Sequence, residues 1–278
     1  MSIFINTNMA SENAINQLDK ISRNQRKAME RLTTGLRINH TADDAAGKSV
    51  VTRMDTQVKG TDMAVRNAQD GINVVQTMDG AAEEVVNMLQ RIRELGIQSS
   101  NETYTSAQRN QMNQEVSQLK TEIDRVASTT KFNGINLMNS SAQANKQLSI
   151  HVGWETGTVN EITISMDNFQ AASIGISAGN NITTQSKALL MVSQTDKAIS
   201  QINTLRAKWG AVQNRFEHTI ANLQNVNENI KASRSQIQDA DFAKESANLA
   251  KTQVLQQAGM SMLSQANQSS QNVLSLLR

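Results

Sequence analysis

The sequence predicts a mainly α protein: a long antiparallel helical rod, a coiled-coil-like pair of terminal helices and a small β-hairpin region. Three observations carry this. Two runs keep heptad spacing far beyond an ordinary helix, Met54, Thr61, Ala68, Val75, Ala82 and Leu89 in one, and Ile202, Trp209, Phe216, Leu223 and Ile230 in the other. None of the 278 residues is proline, the residue that helix interiors exclude. One central stretch changes period: Leu148, Ile150 and Val152 alternate with Ser149 and His151, and Ile162, Ile164 and Met166 with Thr163 and Ser165, around Gly153-Trp154-Glu155-Thr156-Gly157.

Taken in order, Ile3, Phe4 and Ile5 make a short apolar start. A helix follows from about Asn8 to Gly35. Ala14, Leu18, Ile21, Ala28 and Leu32 lie on its a/d frame, Gln25 is the one polar member, and Arg23, Arg26, Lys27 and Arg31 make the other side basic. Gly35 is its expected stop. Residues 37–47 break the pattern, and the Asp43-Asp44 pair suits an N-cap and first turn. Residues 42–49 nearly match a phosphate-binding loop ending Gly47-Lys48-Ser49. However, Ala42 replaces the first glycine, two aspartates stand where phosphates would lie, and no strand pattern precedes them, which argues against a nucleotide site.

The second helix runs from about Asp44 to Ser100, with Val51, Val58, Val65 and Ile72 as a companion row. At ~1.5 Å per residue it would be roughly 80 Å long, which predicts a rod. Thr105 and Gln108 fit a capping box before a third helix that reaches about Ser128, with Met112, Val116, Leu119, Ile123 and Val126 on one face. Lys131-Phe132-Asn133-Gly134 is a turn signal. The hairpin sits in a segment near 140–185 rich in Ser, Asn, Ala and Gly. A fourth helix covers about 187–234, its stripe flanked by Leu205, Val212, Ile220 and Val226. Asp239 and Asp241 are cap candidates for the last helix, residues 240–278. There Ala243, Ala247, Ala250, Val254, Ala258, Met262, Ala266, Val273 and Leu277 form the stripe expected to be buried. The rest of that helix is Gln, Asn and Ser, nearly uncharged after Lys251. Such a helix is marginal alone and calls for partners on more than one side.

Composition narrows the function. Lys and Arg total 27 against 25 acidic residues, the signs interspersed, and aromatics are 3%; this is no nucleic-acid footprint. No apolar run is long enough for membrane insertion, and the first residues lack the basic and apolar regions of a secretory signal. With no cysteine there is no disulfide, thiolate metal site or thiol nucleophile. His40, His151 and His218 lie in different elements without a second ligand at metal spacing, and no acid–base constellation, nucleophile elbow or dinucleotide loop is present. The expectation is a protein with no catalytic, cofactor or metal site, not an enzyme.

The run Glu30-Arg31-Leu32-Thr33-Thr34-Gly35-Leu36-Arg37-Ile38-Asn39, then Ala42-Asp43-Asp44-Ala45-Ala46-Gly47, strongly resembles the N-terminal signature of bacterial flagellin. So do Arg66-Asn67-Ala68-Gln69-Asp70-Gly71-Ile72, residues 89–95, Glu122-Ile123-Asp124-Arg125 and Phe132-Asn133-Gly134. Near the other end, Gly210-Ala211-Val212-Gln213-Asn214-Arg215-Phe216, Leu255-Gln256-Gln257-Ala258-Gly259 and residues 271–278 match as well. The resemblance covers roughly the first 138 and last 90 residues.

The resemblance implies a structural subunit that self-polymerises into the extracellular flagellar filament for swimming or swarming. Residues 1–43 with 236–278 would form the inner-tube helix pair, with Val254, Leu255, Ala258, Met262, Ala266, Val273 and Leu277 as the assembly face. Residues 44–235 would form the rod. The family implies export through the type III apparatus without a cleaved signal peptide, and partners that include an export chaperone, a cap protein and hook-junction proteins. By motif, Leu89, Gln90, Arg91, Glu94 and Leu95 with Glu115 match a patch contacted by the vertebrate Toll-like receptor and resemble a subunit interface. Residues 30–51 match the segment read by a plant immune receptor. Gly96 and Ile97 depart from the commonest form of that patch, and Ser269-Ser270 stands where the family often has proline. The short central segment implies a thin filament without outer projections. The alternatives are a hook–filament junction protein and, of another class, a secreted binding protein or adhesin that reads through the hairpin.

Overall fold

The computed structural model describes residues 8–139, 147–177 and 179–276, the side chains of 269–276 apart. Five helices dominate the described residues: α1 (Met9–Thr34), α2 (Ala45–Ser100), α3 (Ser106–Thr129), α4 (Gln185–Gln238) and α5 (Phe242–Leu276). Between α3 and α4 lie two antiparallel hairpins, β1 (Lys131–Phe132) with β2 (Ile135–Asn136), and β3 (Gln147–His151) with β4 (Glu161–Ser165). A turn of 3-10 helix, Thr158–Asn160, precedes β4. The contacts divide the chain into two units, residues 1–56 with 228–278, and residues 57–227. The division falls inside α2 and α4, not in a loop. The apolar start at Ile3, Phe4 and Ile5 lies outside the described residues.

Local chemistry sets the ends of the helices. The Asn8 side chain caps α1 by accepting from Ser11 N, and Gly35, at φ 72°, ends it with its N–H on Arg31 O. Asp44 caps α2 by accepting from Gly47 N at 2.8 Å, so the carboxylate takes an amide that a phosphate-binding loop would offer to phosphate. Thr105 and Gln108 form the capping box of α3. Asp241 accepts from Lys244 N at 3.1 Å and caps α5.

In the central unit, α2 and α4 pack through the two long stripes, with Trp209 and Phe216 fully buried. Arg206 bridges to Asp79 at 2.6 Å and Arg93 to Asp196 at 2.6 Å along the flank of that pair. The larger hairpin closes the core from the other side: Ile162, Ile164 and Met166 are buried, Trp209 Nε1 donates to Ser165 O at 2.8 Å, and Phe169 stacks on Trp209 with centroids 5.7 Å apart. The irregular stretch after β4 is tied to one face of α3. Asn113 Oδ1 accepts from Ile182 N, Asp124 Oδ1 accepts from Ala171 N, and Lys120 Nζ donates to Ser177 O and Asn180 O. Burial lowers the pKa of Lys120.

In the central unit the observed elements depart from the sequence reading in two places. The turn signal at Asn133-Gly134 carries a complete small hairpin, with Lys131 opposite Asn136 and Phe132 opposite Ile135. On α4 the inward residue is Asn227, which is buried, while Val226 is exposed. A strict repeat of seven puts Val226 inward. A helix turning once per ~3.6 residues drifts against that repeat, and here the drift turns the next residue in.

Candidate functional site

In the terminal unit α1 and α5 pack antiparallel, Arg31 beside Glu245 at one end and Asn8 Nδ2 donating to Ala266 O at the other. The α1 seam is the predicted one: Ala28 is buried, and Ala14, Leu18, Ile21, Gln25 and Leu32 are half-buried. The α5 seam is not. Glu245 and Thr252 are buried and Leu249, Gln256, Gly259, Leu263 and Ala266 half-buried, spaced alternately four and three, which is a heptad frame. Helix approach at Gly259 is close: a Cβ there would lie 2.8 Å from Leu18 Cδ2. Glu245 is held by Arg31 Nη1 at 2.8 Å.

The stripe expected to be buried on α5 therefore points outward in the single chain. Ala243, Ala247, Ala250, Val254, Leu255, Ala258 and Met262 are exposed, Val254 at 64% and Met262 at 68%. Only Ala266 is shared with the seam. Val273 falls where side chains are not described, and Leu277 lies outside the described residues. The reason for the difference is chemical. The seam mixes Glu, Thr and Gln with Leu and Gly, so a search for apolar spacing finds the other, richer face.

The α1–α2 link and the α4–α5 link belong to the same unit and pair with each other. Leu36 pairs with Asp239, Arg37 N donates to Gln238 O at 2.7 Å and Ala240 N to Gly35 O at 2.9 Å. Lys27 Nζ lies 2.6 Å from Asp43, whose carboxylate also accepts from the amides of Asn39 and His40. The Lys27 hydrogen bond, then those amides, bring the Asp43 pKa down from 3.8 to about 2.

The second predicted patch separates into two layers. Leu89 and Leu95 are core residues, at 0% and 2% exposure, and present nothing to a partner in the folded chain. Gln90, Arg91, Glu94 and Glu115 are exposed. Arg91 joins them, with Nε 2.9 Å from Glu115 and Nη1 3.0 Å from Glu94, and these pairings raise its pKa. On a helix, positions 89 and 95 share the inward face that 90, 91 and 94 leave. Among the described residues no group of three or more metal-ligating side chains is gathered, and no helix is long and apolar enough to cross a membrane.

Two family models cover most of the chain: the bacterial flagellin N-terminal helical region matches residues 5–143, and the C-terminal helical region matches residues 192–277. The chain belongs to the bacterial flagellins. It is 41% identical over 277 residues to a flagellin of Halalkalibacterium halodurans, an alignment that spans 99% of this chain and all of that one. It is 37% identical to a flagellin of Bacillus subtilis, over 99% of each. The crystal structure of Bacillus cereus flagellin superposes with a TM-score of 0.50 at 28% identity, covering 57% of this chain and 88% of the other. As a flagellin this chain is a structural subunit of the extracellular flagellar filament and polymerises with copies of itself; it is not an enzyme. It is a short flagellin without large outer domains. These end-to-end matches do not favour the hook–filament junction alternative.

Proposed function

We propose that this flagellin polymerises through the outward stripe of α5, with Val254, Leu255, Ala258 and Met262 as its described core, joined by Ala266, Val273 and Leu277. Residues 1–43 with 236–278 then line the inner tube of the filament, and residues 44–235 form the rod around it. One observation carries the reading: α5 meets α1 through its polar-rich heptad and leaves its apolar stripe bare. A contiguous apolar face costs solubility in a single chain, and a helical polymer covers it with the next copy. The test is the double variant Val254→Asp with Met262→Lys, added to sonicated filament seeds. It is expected to keep its helix content and fail to elongate. Filaments of ordinary length from this variant would overturn the proposal.

From membership of the family we infer the remaining partners. The chain leaves the cell unfolded through the type III apparatus without a cleaved signal peptide, escorted by an export chaperone, and is placed by the cap protein beyond the hook-junction proteins. The exposed Gln90, Arg91, Glu94 and Glu115 form the patch offered to a vertebrate receptor or a neighbouring subunit, with Leu89 and Leu95 acting from beneath as core. Residues 30–51 are the segment offered to a plant receptor. Free subunit is expected to activate the vertebrate receptor and stabilised filament is not; equal activity of the two in a reporter-cell assay would sink that reading.

A further inference from the structure

We propose that Asn133 is a spontaneous deamidation site, the point at which this extracellular protein ages chemically. Asn133-Gly134 is the one Asn-Gly pair in the sequence. The two residues are the whole turn between β1 and β2, with φ of 49° and 81°, the pattern of a type I′ hairpin turn. Both are exposed, and the space around Gly134 is open: a Cβ there would meet nothing within 4 Å. Among the described residues no hydrogen bond or ion pair holds the Asn133 carboxamide. Asn136, three residues on, is the internal contrast. Its Nδ2 donates to Ser128 O at 2.8 Å, its Oδ1 accepts from the amides of Met138 and Asn139, and a bulky Leu137 follows it.

The chemistry needs only water. The deprotonated main-chain nitrogen of Gly134 attacks Asn133 Cγ. A C–N bond forms, the Cγ–Nδ2 bond breaks and ammonia leaves, giving a five-membered succinimide. Water then opens the ring at one carbonyl or the other and leaves aspartate or isoaspartate at 133. Attack requires the turn to leave its left-handed pose. A ladder of two residue pairs, exposed on the turn side, opens locally at small cost. Isoaspartate inserts one extra carbon into the main chain within a two-residue turn, so the pairing of Lys131 with Asn136 cannot be kept. Directly behind that turn Leu137 and Met138, at 1% and 0% exposure, anchor the segment in the core. The product therefore loosens the core as well as the turn.

The experiment ages the full chain in warm, mildly alkaline buffer and follows it by isoelectric focusing and by electron-transfer fragmentation of the tryptic peptide that begins at Phe132. The expected result is an acidic shift of one charge, with Asn133 converted first and isoaspartate as the larger product. Asn133→Gly is the control: glycine at both turn positions keeps the type I′ geometry and cannot deamidate. It is expected to show no early acidic shift and to keep its melting temperature while the wild type loses some of its own. Asn133 remaining an amide while other asparagines convert would overturn the proposal, as would an identical acidic shift in Asn133→Gly. Melting temperatures that fall equally in both chains would overturn the structural consequence.

Discussion

Asp43 shows how much one residue can do at a helix junction. Its carboxylate joins Lys27 on α1 to the amides of Asn39 and His40 in the link. Because its pKa falls from 3.8 to about 2 on folding, the stability it contributes is complete above pH 3.8 and lost as pH falls through 2. After screening at the exposed lysine the contribution is on the order of 1 kcal/mol. Lys27→Met is expected to bring the Asp43 pKa back toward 3.8 and to move acid unfolding of the terminal unit to higher pH, read by carboxyl NMR titration and helix signal against pH. An unchanged Asp43 titration would refute the assignment. Asp44, Gly35 and the Thr105–Gln108 pair were legible in the sequence because caps depend on residue type and a fixed short offset, whereas Asp43, expected to cap with Asp44, turns back to Lys27 and the amides of Asn39 and His40. Leu89 and Leu95, named with the patch by motif, lie in the core of the single chain, because a motif match carries no information about which side of a helix a residue occupies.

At the scale of elements, every long helix was legible and one face was not. α1 announces its seam, since nearly all its inward residues are apolar and in heptad register. α5 does not, because Glu245, Thr252 and Gln256 occupy its seam and its strongest apolar stripe faces out. The α4 stripe keeps Leu223 and Ile230 half-buried beyond Phe216, but its flanking row is one residue out, with Asn227 inward in place of Val226, where helical drift accumulates. The β1–β2 ladder was too short for a period to reveal it. The pairing of α1 with α5 rests on the close approach at Gly259. Gly259→Val should push Leu18 off the seam and destabilise the pair by about 1–3 kcal/mol, despite valine's better helix propensity than glycine's. Hydrogen exchange of the α1 amides measures this, and protection equal to that of the wild type would show that Leu18 yields without cost.

For the whole molecule, the terminal unit is made of the two ends of the chain: Arg31 meets a residue 214 positions away and Asn8 one 258 positions away. It therefore cannot form until the last helix is available, whereas the central unit closes within residues 57–227. A chain ending at Ala240 is expected to keep the packed environment of Trp209 in near-UV circular dichroism and to lose both the protection of α1 and all elongation from seeds. Elongation by that truncated chain would show that the terminal helix is dispensable. The distribution of chromophores makes such measurements unusually selective. Trp154, Trp209 and Tyr104 are the only tryptophans and tyrosine, and all three lie in the central unit. Trp209 is sealed at 1% exposure, and Trp154 stands 43% open at the hairpin tip. An aqueous quencher should therefore dim one indole and spare the other, reporting separately on the hairpin surface and the core. The terminal unit contains no tryptophan or tyrosine. A tryptophan introduced at exposed Met262 would stay dim or bright according to whether a neighbouring copy covers it, turning each added subunit into an optical event.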